Sequence, residues 1–220
     1  MYQIYPTLLD SFQRYLDSEE SERQELIDKI NRVPFVSEAA DKGTAFNDLV
    51  DVVIKQPGLL NTETIPYNFV REDRTWAFSF RSDIVKWFVD RLKGAIPQVY
   101  TDCVLMTKYG EVNLYGYADE LNGPVCYDIK TTSRYEFPKY LKNWQHRAYL
   151  VSLNKSGYLI PEFQYLTTDF NNTFVETYLF NERMEQELIL ICERLIEFIE
   201  SERGSISNEK IYGLQKAETI

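Results

Sequence analysis

Apolar positions recur first at helical spacing and later in alternation. Leu8, Leu9, Phe12 and Leu16 mark one face of a helix over Thr7–Leu16. Leu26, Ile27 and Ile30 do the same over Ser21–Val33, a pattern that Pro34 ends. A third helix is expected to begin near Lys42-Gly43-Thr44, to bury Phe46, Leu49, Val50 and Val53, and to stop before Pro57-Gly58. Thr62–Val70 and Thr75–Phe80 read as short strands around the charged turn Arg71–Arg74, and Asp83–Leu92 as an amphipathic helix closed by Gly94 and Pro97. The centre is hairpin-like. Val99–Lys108 alternates, Tyr109-Gly110 turns, Glu111–Asp119 returns, Asn122-Gly123 turns again, and Val125–Lys130 makes a third strand. Lys139–Asn154 reads as a helix. Strands Glu162–Thr168 and Thr173–Phe180 follow around Asp169–Asn172, then a long amphipathic helix over Glu182–Arg203.

This order predicts an α/β fold: a central mixed sheet flanked by helices, with N-terminal helices and a long C-terminal helix. The 220 residues suit one domain, divided into a helical part over 1–60, a sheet-centred core over 61–203 and a mobile tail over 204–220. No internal repeat or low-complexity linker interrupts it.

Composition changes the picture in three ways. No apolar run approaches the roughly 18 residues of a membrane span, and the start lacks a secretory pattern, so an intracellular, cytoplasmic protein without membrane partners is expected. Cys103, Cys126 and Cys192 form no C-x-x-C unit and read as core thiols, so neither a zinc ribbon nor an iron–sulfur cluster is expected. His146 is the single histidine, so any divalent metal must be held mainly by oxygen, which favours Mg²⁺ or Mn²⁺.

The net charge of −10 argues against indiscriminate binding of nucleic acid, but the charge is uneven. Asp17–Glu25 carries five acids and one arginine, and Asn181–Arg203 seven acids and three arginines. Lys130–Arg147 instead sets Lys130, Arg134, Lys139, Lys142 and Arg147 against Glu136 alone, with Tyr135, Phe137, Tyr140 and Trp144 interleaved. Cations among aromatics suit a grip on phosphates and a stack on a frayed base. Arg134, Lys139, Lys142, Trp144, His146 and Arg147 are therefore candidate nucleic-acid contacts, with a solvated basic face as the plain alternative.

The chemistry centres on Asp119 and on Asp128-Ile129-Lys130. Asp119 closes one strand of the expected hairpin and Asp128 nears the end of the next, so the turn brings them together. Asp128 and Lys130 are two apart and share a strand face. Two carboxylates make a hard oxygen site, and an adjacent lysine can orient or help deprotonate an attacking water and stabilise developing negative charge. An ion-pair cluster on an exposed sheet face is the alternative.

Gly116-Tyr117-Ala118-Asp119, a turn, then Asp128-Ile129-Lys130-Thr131 resembles the PD-(D/E)XK nucleases, in the branch of RecB, the phage lambda exonuclease group and CRISPR-associated exonucleases. That branch carries Gln-x-x-x-Tyr on the next helix, here Gln145-His146-Arg147-Ala148-Tyr149. It also carries Gly-x-x-x-His or Gly-x-x-x-Glu on a helix before the sheet, here Gly43-Thr44-Ala45-Phe46-Asn47. Together these cover Gly43 to Tyr149.

The resemblance implies a restriction-endonuclease-like core. It also implies Mg²⁺ or Mn²⁺ on Asp119, Asp128 and the Ile129 carbonyl, Lys130 as catalytic lysine, and Gln145 and Tyr149 as positioning groups. Asn47 departs from the pattern: an amide oxygen can ligate a hard cation but brings no charge. Asp51, one turn further on, is the candidate substitute. The expected activity is a DNA exonuclease of phage, mobile-element or bacterial recombination and repair, acting as a homo-oligomer or with a recombination partner. A catalytically weakened binding module on the same fold is the rival reading.

Overall fold

The structure is a computed structural model, describing residues 1–19, 22–71 and 74–213 of the 220. The elements are β1 (Tyr2–Ile4), α1 (Pro6–Asp17), α2 (Arg23–Ile30), α3 (Glu38–Lys55), β2 (Thr64–Arg71), β3 (Arg74–Arg81), α4 (Ser82–Leu92), β4 (Ile96–Thr107), β5 (Gly110–Asn122), β6 (Val125–Thr131), α5 (Gln145–Lys155), β7 (Glu162–Thr168), β8 (Thr173–Leu179) and α6 (Arg183–Ser201).

The expected α/β architecture is present. A six-stranded mixed sheet runs β1-β5-β6-β7-β8, with β4 also on β5. β5 pairs antiparallel with β4 over nearly its whole length, from Ile96↔Leu121 to Thr107↔Gly110. Its other edge is shared: β6 takes Glu120–Asn122, while β1 lies parallel to Val112–Leu114. Residues 115–119 of that edge lie between the two strands and pair with neither. β6 then runs parallel to β7, reached through α5. The parallel pairing requires this crossover, since a short turn cannot reverse the chain twice.

Two apolar cores cover the sheet. One joins α1, α2, α5 and α6 to it through residues such as Leu8, Phe12, Leu150, Phe163, Leu188 and Ile199. The other joins α3, α4 and the β2–β3 hairpin through Phe46, Val50, Phe80 and Phe88, with Ile129 and Leu166 from the sheet. The hairpin is its own two-stranded sheet rather than part of the central one. It is tied to α3 by Asp41, which is 1% exposed, accepts from Trp76 Nε1 at 3.1 Å and lies 3.5 and 3.6 Å from Arg71 and Arg74.

Four expectations are corrected. The first 60 residues are not all helical, since β1 joins the central sheet. α3 starts at Glu38, where the Ser37 side chain accepts from the Ala40 amide, so Gly43 lies inside the helix. Residues 139–144 are not helical, because their amides go elsewhere: Lys139 and Tyr140 donate to the Glu176 carboxylate at 2.7 and 3.1 Å, and Trp144 to Asp10. The stretch 204–213 is packed, with Ile206 9% and Ile211 2% exposed. The remainder of the expected mobile tail, 214–220, lies outside the described residues, as do Ser21 at the expected start of the second helix and 72–73 of the expected turn. Among the described residues no helix is long and apolar enough to cross a membrane.

Candidate active site

β5 and β6 carry the centre. Buried positions alternate along β5 at Val112, Leu114, Gly116, Ala118 and Glu120, and then Leu121 is buried as well. The alternation slips opposite Gln98, whose φ is +53° and which is left out of the β4–β5 pairing. Beside this slip the Ile129 amide donates to Asp119 Oδ2 at 3.3 Å. Asp128, 2% exposed, accepts from Gln145 Nε2 at 3.4 Å on one oxygen, and its other oxygen lies 2.7 Å from Lys130 Nζ. That second contact is an ion pair. Asp119, Asp128, Lys130 and Gln145 thus meet as the sequence predicts.

The electrostatics are those of crowded carboxylates. Burial, and then the Asp128 charge, push Asp119 up to about 7. Burial works against the Lys130 charge, but Asp128 and Asp119 beside it hold the ammonium above its ordinary value. Lys130 therefore stays a cation at neutral pH.

Sequence reasoning missed Asp10. It sits on α1, 8% exposed, accepts the Trp144 amide just ahead of Gln145, and is felt electrostatically by Asp128 and Lys130. Burial pushes its carboxyl up to about 6. No spacing in the chain links residue 10 to residue 128; the only local hint is a carboxylate amid the apolar face Leu8, Leu9, Phe12.

Tyr149 is positioned by the glycine of the Gly-x-x-Asp stretch. A Cβ on Gly116 would meet the Tyr149 ring and hydroxyl at 3.1 Å and Pro6 at 3.2 Å. Glycine lets the ring lie against β5, where Tyr149 Oη donates to the Tyr117 carbonyl at 2.8 Å, on the stretch of edge between β1 and β6. Gly43 plays a similar part for α3, since a Cβ there would come 2.7 Å from Thr131 Oγ1. One turn later the Asn47 amide oxygen is buried without a hydrogen-bond partner among the described residues. Asp51 does not stand free in its place: it shares a hydrogen bond with Glu120, which is 4% exposed and pushed up to about 7 by burial and by Asp51. Among the described residues no group of three or more His, Cys, Asp or Glu side chains is arranged to hold a metal ion.

The expected nucleic-acid contacts divide. Arg134 is open to solvent with a weak 3.4 Å contact to Glu136, Lys139 is exposed, and Lys142 pairs with Asp17 at 2.9 Å. The other three make contacts within the fold. Arg147 bonds Glu187 at 2.9 Å and the Asn143 carbonyl at 2.7 Å, and lies 5.1 Å over the ring of Trp144, whose indole N–H donates to Gln13. His146, 1% exposed, stacks on Tyr178 at 4.0 Å and meets the Tyr165 hydroxyl at 3.2 Å, so it cannot reach a phosphate.

Burial, with Arg147 beside it, lowers His146 to about 3. Its folded value lies below the ordinary 6.5, so the unfolded chain takes up the proton first as pH falls. Stability from this group is complete above about 6.5 and is lost towards pH 3, by at most ~1.4 kcal/mol per unit. His146→Phe, which keeps the stack on Tyr178, is expected to be about 1 kcal/mol less stable at pH 7 for the lost hydrogen bond. It should draw level with the parent near pH 5.5 and exceed it below. Paired urea melts across that range check this; parallel curves would refute it.

No known protein family matches the chain, and neither does any curated protein. Among solved structures the chain is similar to the crystal structure of SSO0001, with a TM-score of 0.52 and 13% identity over 90% of this chain and 76% of that one. It also aligns with a protein from Eubacterium rectale named "Putative exonuclease", with a TM-score of 0.45 and 10% identity over 83% and 74% of the two chains. The first of these is a likeness of fold alone, and it agrees with the mixed sheet flanked by helices.

Proposed function

We propose that this chain is a metal-dependent nuclease of the PD-(D/E)XK type with a restriction-endonuclease-like core, hydrolysing phosphodiester bonds in nucleic acid. The observation that carries this reading is the meeting of Asp119, Asp128 and Lys130, with Gln145 on Asp128 and Tyr149 locked to the Tyr117 carbonyl. A surface ion-pair cluster would not be 2% exposed at Asp128, nor crowd two carboxylates until one holds a proton near neutrality.

The donor set fits a hard divalent cation. Asp119 and Asp128 would supply oxygen and negative charge, the Ile129 carbonyl a neutral oxygen, and Asn47 an amide oxygen that is buried without a hydrogen-bond partner among the described residues. When bound, Mg²⁺ or Mn²⁺ would acidify a water and polarise the phosphoryl oxygen. Lys130, a cation held by Asp128, orients the water and stabilises the negative charge that develops on phosphate. Gln145 fixes the Asp128 carboxylate through its amide, and Tyr149 holds the β5 edge that ends in Asp119. Asp10 sets the start of α5 through the Trp144 amide and adds negative charge behind Lys130.

DNA as substrate, attack from an end, and a role in recombination or repair with a loading partner follow from the same reading. The test is cleavage of end-labelled linear and covalently closed circular DNA with Mn²⁺, by the parent and by Asp128→Asn. Loss of linear substrate alone, abolished by the substitution, is the expected result. Cut circles would make the enzyme an endonuclease. DNA bound but never cut would favour the binding module, with the uncharged Asn47 as its cause.

A further inference from the structure

Beside Tyr149 an open groove of about 520 Å³ runs between the start of α1, the chain that follows α2, and the middle of β5. Its walls include Lys29, Arg32, Phe35, Tyr115, Tyr117 and Tyr149, and among the described residues no acid lines it. In a chain with 34 acids against 24 bases, that is a departure from the average surface. Neither Lys29 nor Arg32 has an ion-pair partner among the described residues, so both charges are available at the groove wall, unlike Lys130, Lys142 and Arg147. An adjoining cavity shares Lys29, Val33 and Phe35 and carries Arg14, but it is also lined by Glu22, Glu25 and Asp28, so the acid-free stretch is the groove itself. Burial and then Arg14 lower the Lys29 pKa, with the Asp10 carboxylate working the other way and Arg32 adding to the lowering.

The aromatic groups lie open. Phe35 is 78% and Tyr117 55% exposed. Arg32 is braced between the Tyr115 hydroxyl at 2.7 Å and the Tyr5 ring at 5.5 Å, which fixes its guanidinium at the wall. Unpaired cations beside open aromatic faces suit a chain that offers both phosphates and free π-surfaces. A duplex hides its base faces, so the aromatics would gain nothing from it. The groove ends at Gly116, Tyr117 and Tyr149, on the edge of β5 that leads to Asp119.

We propose that this groove binds single-stranded nucleic acid, with Lys29 and Arg32 on its phosphates and Phe35 and Tyr117 stacked on its bases, and leads the strand past Tyr149 to the carboxylates. The direction of the strand towards Asp119 and Asp128 rests on the nuclease reading; binding in the groove does not. This also accounts for where substrate is held once Trp144, His146 and Arg147 are taken up by the fold.

The test is fluorescence anisotropy of a short labelled oligodeoxythymidylate, and of a duplex of equal length, in EDTA so that nothing is cut. Phe35→Ala removes a ring that is mostly in solvent and leaves folding intact. It is expected to weaken single-strand binding about tenfold and duplex binding little. Lys29→Gln with Arg32→Gln should reduce the slope of log affinity against log salt by about 1.4. Single-strand binding unchanged by all three substitutions, or a duplex preferred by the parent, would overturn the proposal. Binding lost in the variants while the parent cleaves nothing upholds the groove and removes the nuclease. Cleavage by the parent with binding unaltered in the variants does the reverse.

Discussion

Lys130→Met is expected to lower cleavage by about 100-fold or more and to destabilise the protein, increasingly as pH rises. The first effect is the loss of the cation that lies 2.7 Å from Asp128 Oδ2, beside the two proposed metal-binding carboxylates. The second follows from leaving Asp128, with its side chain 3% exposed, as a buried carboxylate without its partner, a loss of ~3–5 kcal/mol for buried pairs. The pH dependence comes from Asp119, which already stands at about 7 through burial and Asp128 while Lys130 pulls it down. Without Lys130 it rises further. A carboxyl whose folded value is raised binds its proton more tightly in the folded state, so its contribution is complete below about 3.8 and is lost as pH rises through the folded value. The variant should therefore fall further behind the parent at pH 8 than at pH 5.5. Melting in EDTA at both values, followed by the cleavage assay on the folded variant, checks both parts. Cleavage within threefold of the parent would remove Lys130 from the chemistry.

The largest stability effect outside the centre is expected for Glu176→Ala, about 3–5 kcal/mol. Glu176 is 1% exposed, and its carboxylate accepts from the Lys139 and Tyr140 amides and from the Tyr178 hydroxyl at 2.7 Å. Alanine removes the acceptor that these donors share. For 220 residues this corresponds to a fall in Tm of about 10 °C. The same change loosens residues 132–144, whose other anchors include the stack of Tyr135 on Phe174 at 4.1 Å, that of Tyr140 on Tyr165 at 4.5 Å, the Lys142–Asp17 pair and the bond from Trp144 to Asp10. Because that stretch sets where α5 begins, Gln145 and Tyr149 lose their register and cleavage falls with stability. Glu176→Gln keeps an acceptor oxygen in the same volume and should lose about half as much. Thermal melts of both variants, with limited proteolysis at 132–144, decide this. A Glu176→Ala protein melting within 2 °C of the parent, with the loop still protected, would show that the amides find other partners.

The candidate centre was legible because its members are near in sequence. Asp119 and Asp128 flank one turn, Asp128 and Lys130 share a strand face, and Gln145 and Tyr149 are a helical turn apart. What surrounds them was not legible, for a reason visible in Asp10 and Glu176. Each is an acid whose acceptor role is set by backbone amides more than 30 residues away, and nothing local distinguishes it from a solvated one. His146 and Arg147 show the same limit in reverse. Their place among cations and aromatics suggested phosphate contact, yet Tyr178, Tyr165 and Glu187 arrive from later elements and close over them. Residues 139–144 carry a helix-like pattern that lost to two buried carboxylates competing for its amides.

The sequence by itself determined the order and kind of most elements, the pairing of the central strands and the nearness of Asp119, Asp128 and Lys130. Periodicity and turn chemistry act over a few residues, so they are written locally. Only the tertiary structure decided that β1 joins β5 in parallel, that β2 and β3 stand as a separate ribbon, and that Asp10 adds a third carboxylate. It alone opened the groove of Lys29, Arg32 and Phe35 beside Tyr149. Those features depend on which distant surfaces bury one another, and burial is settled by the closing of the whole chain.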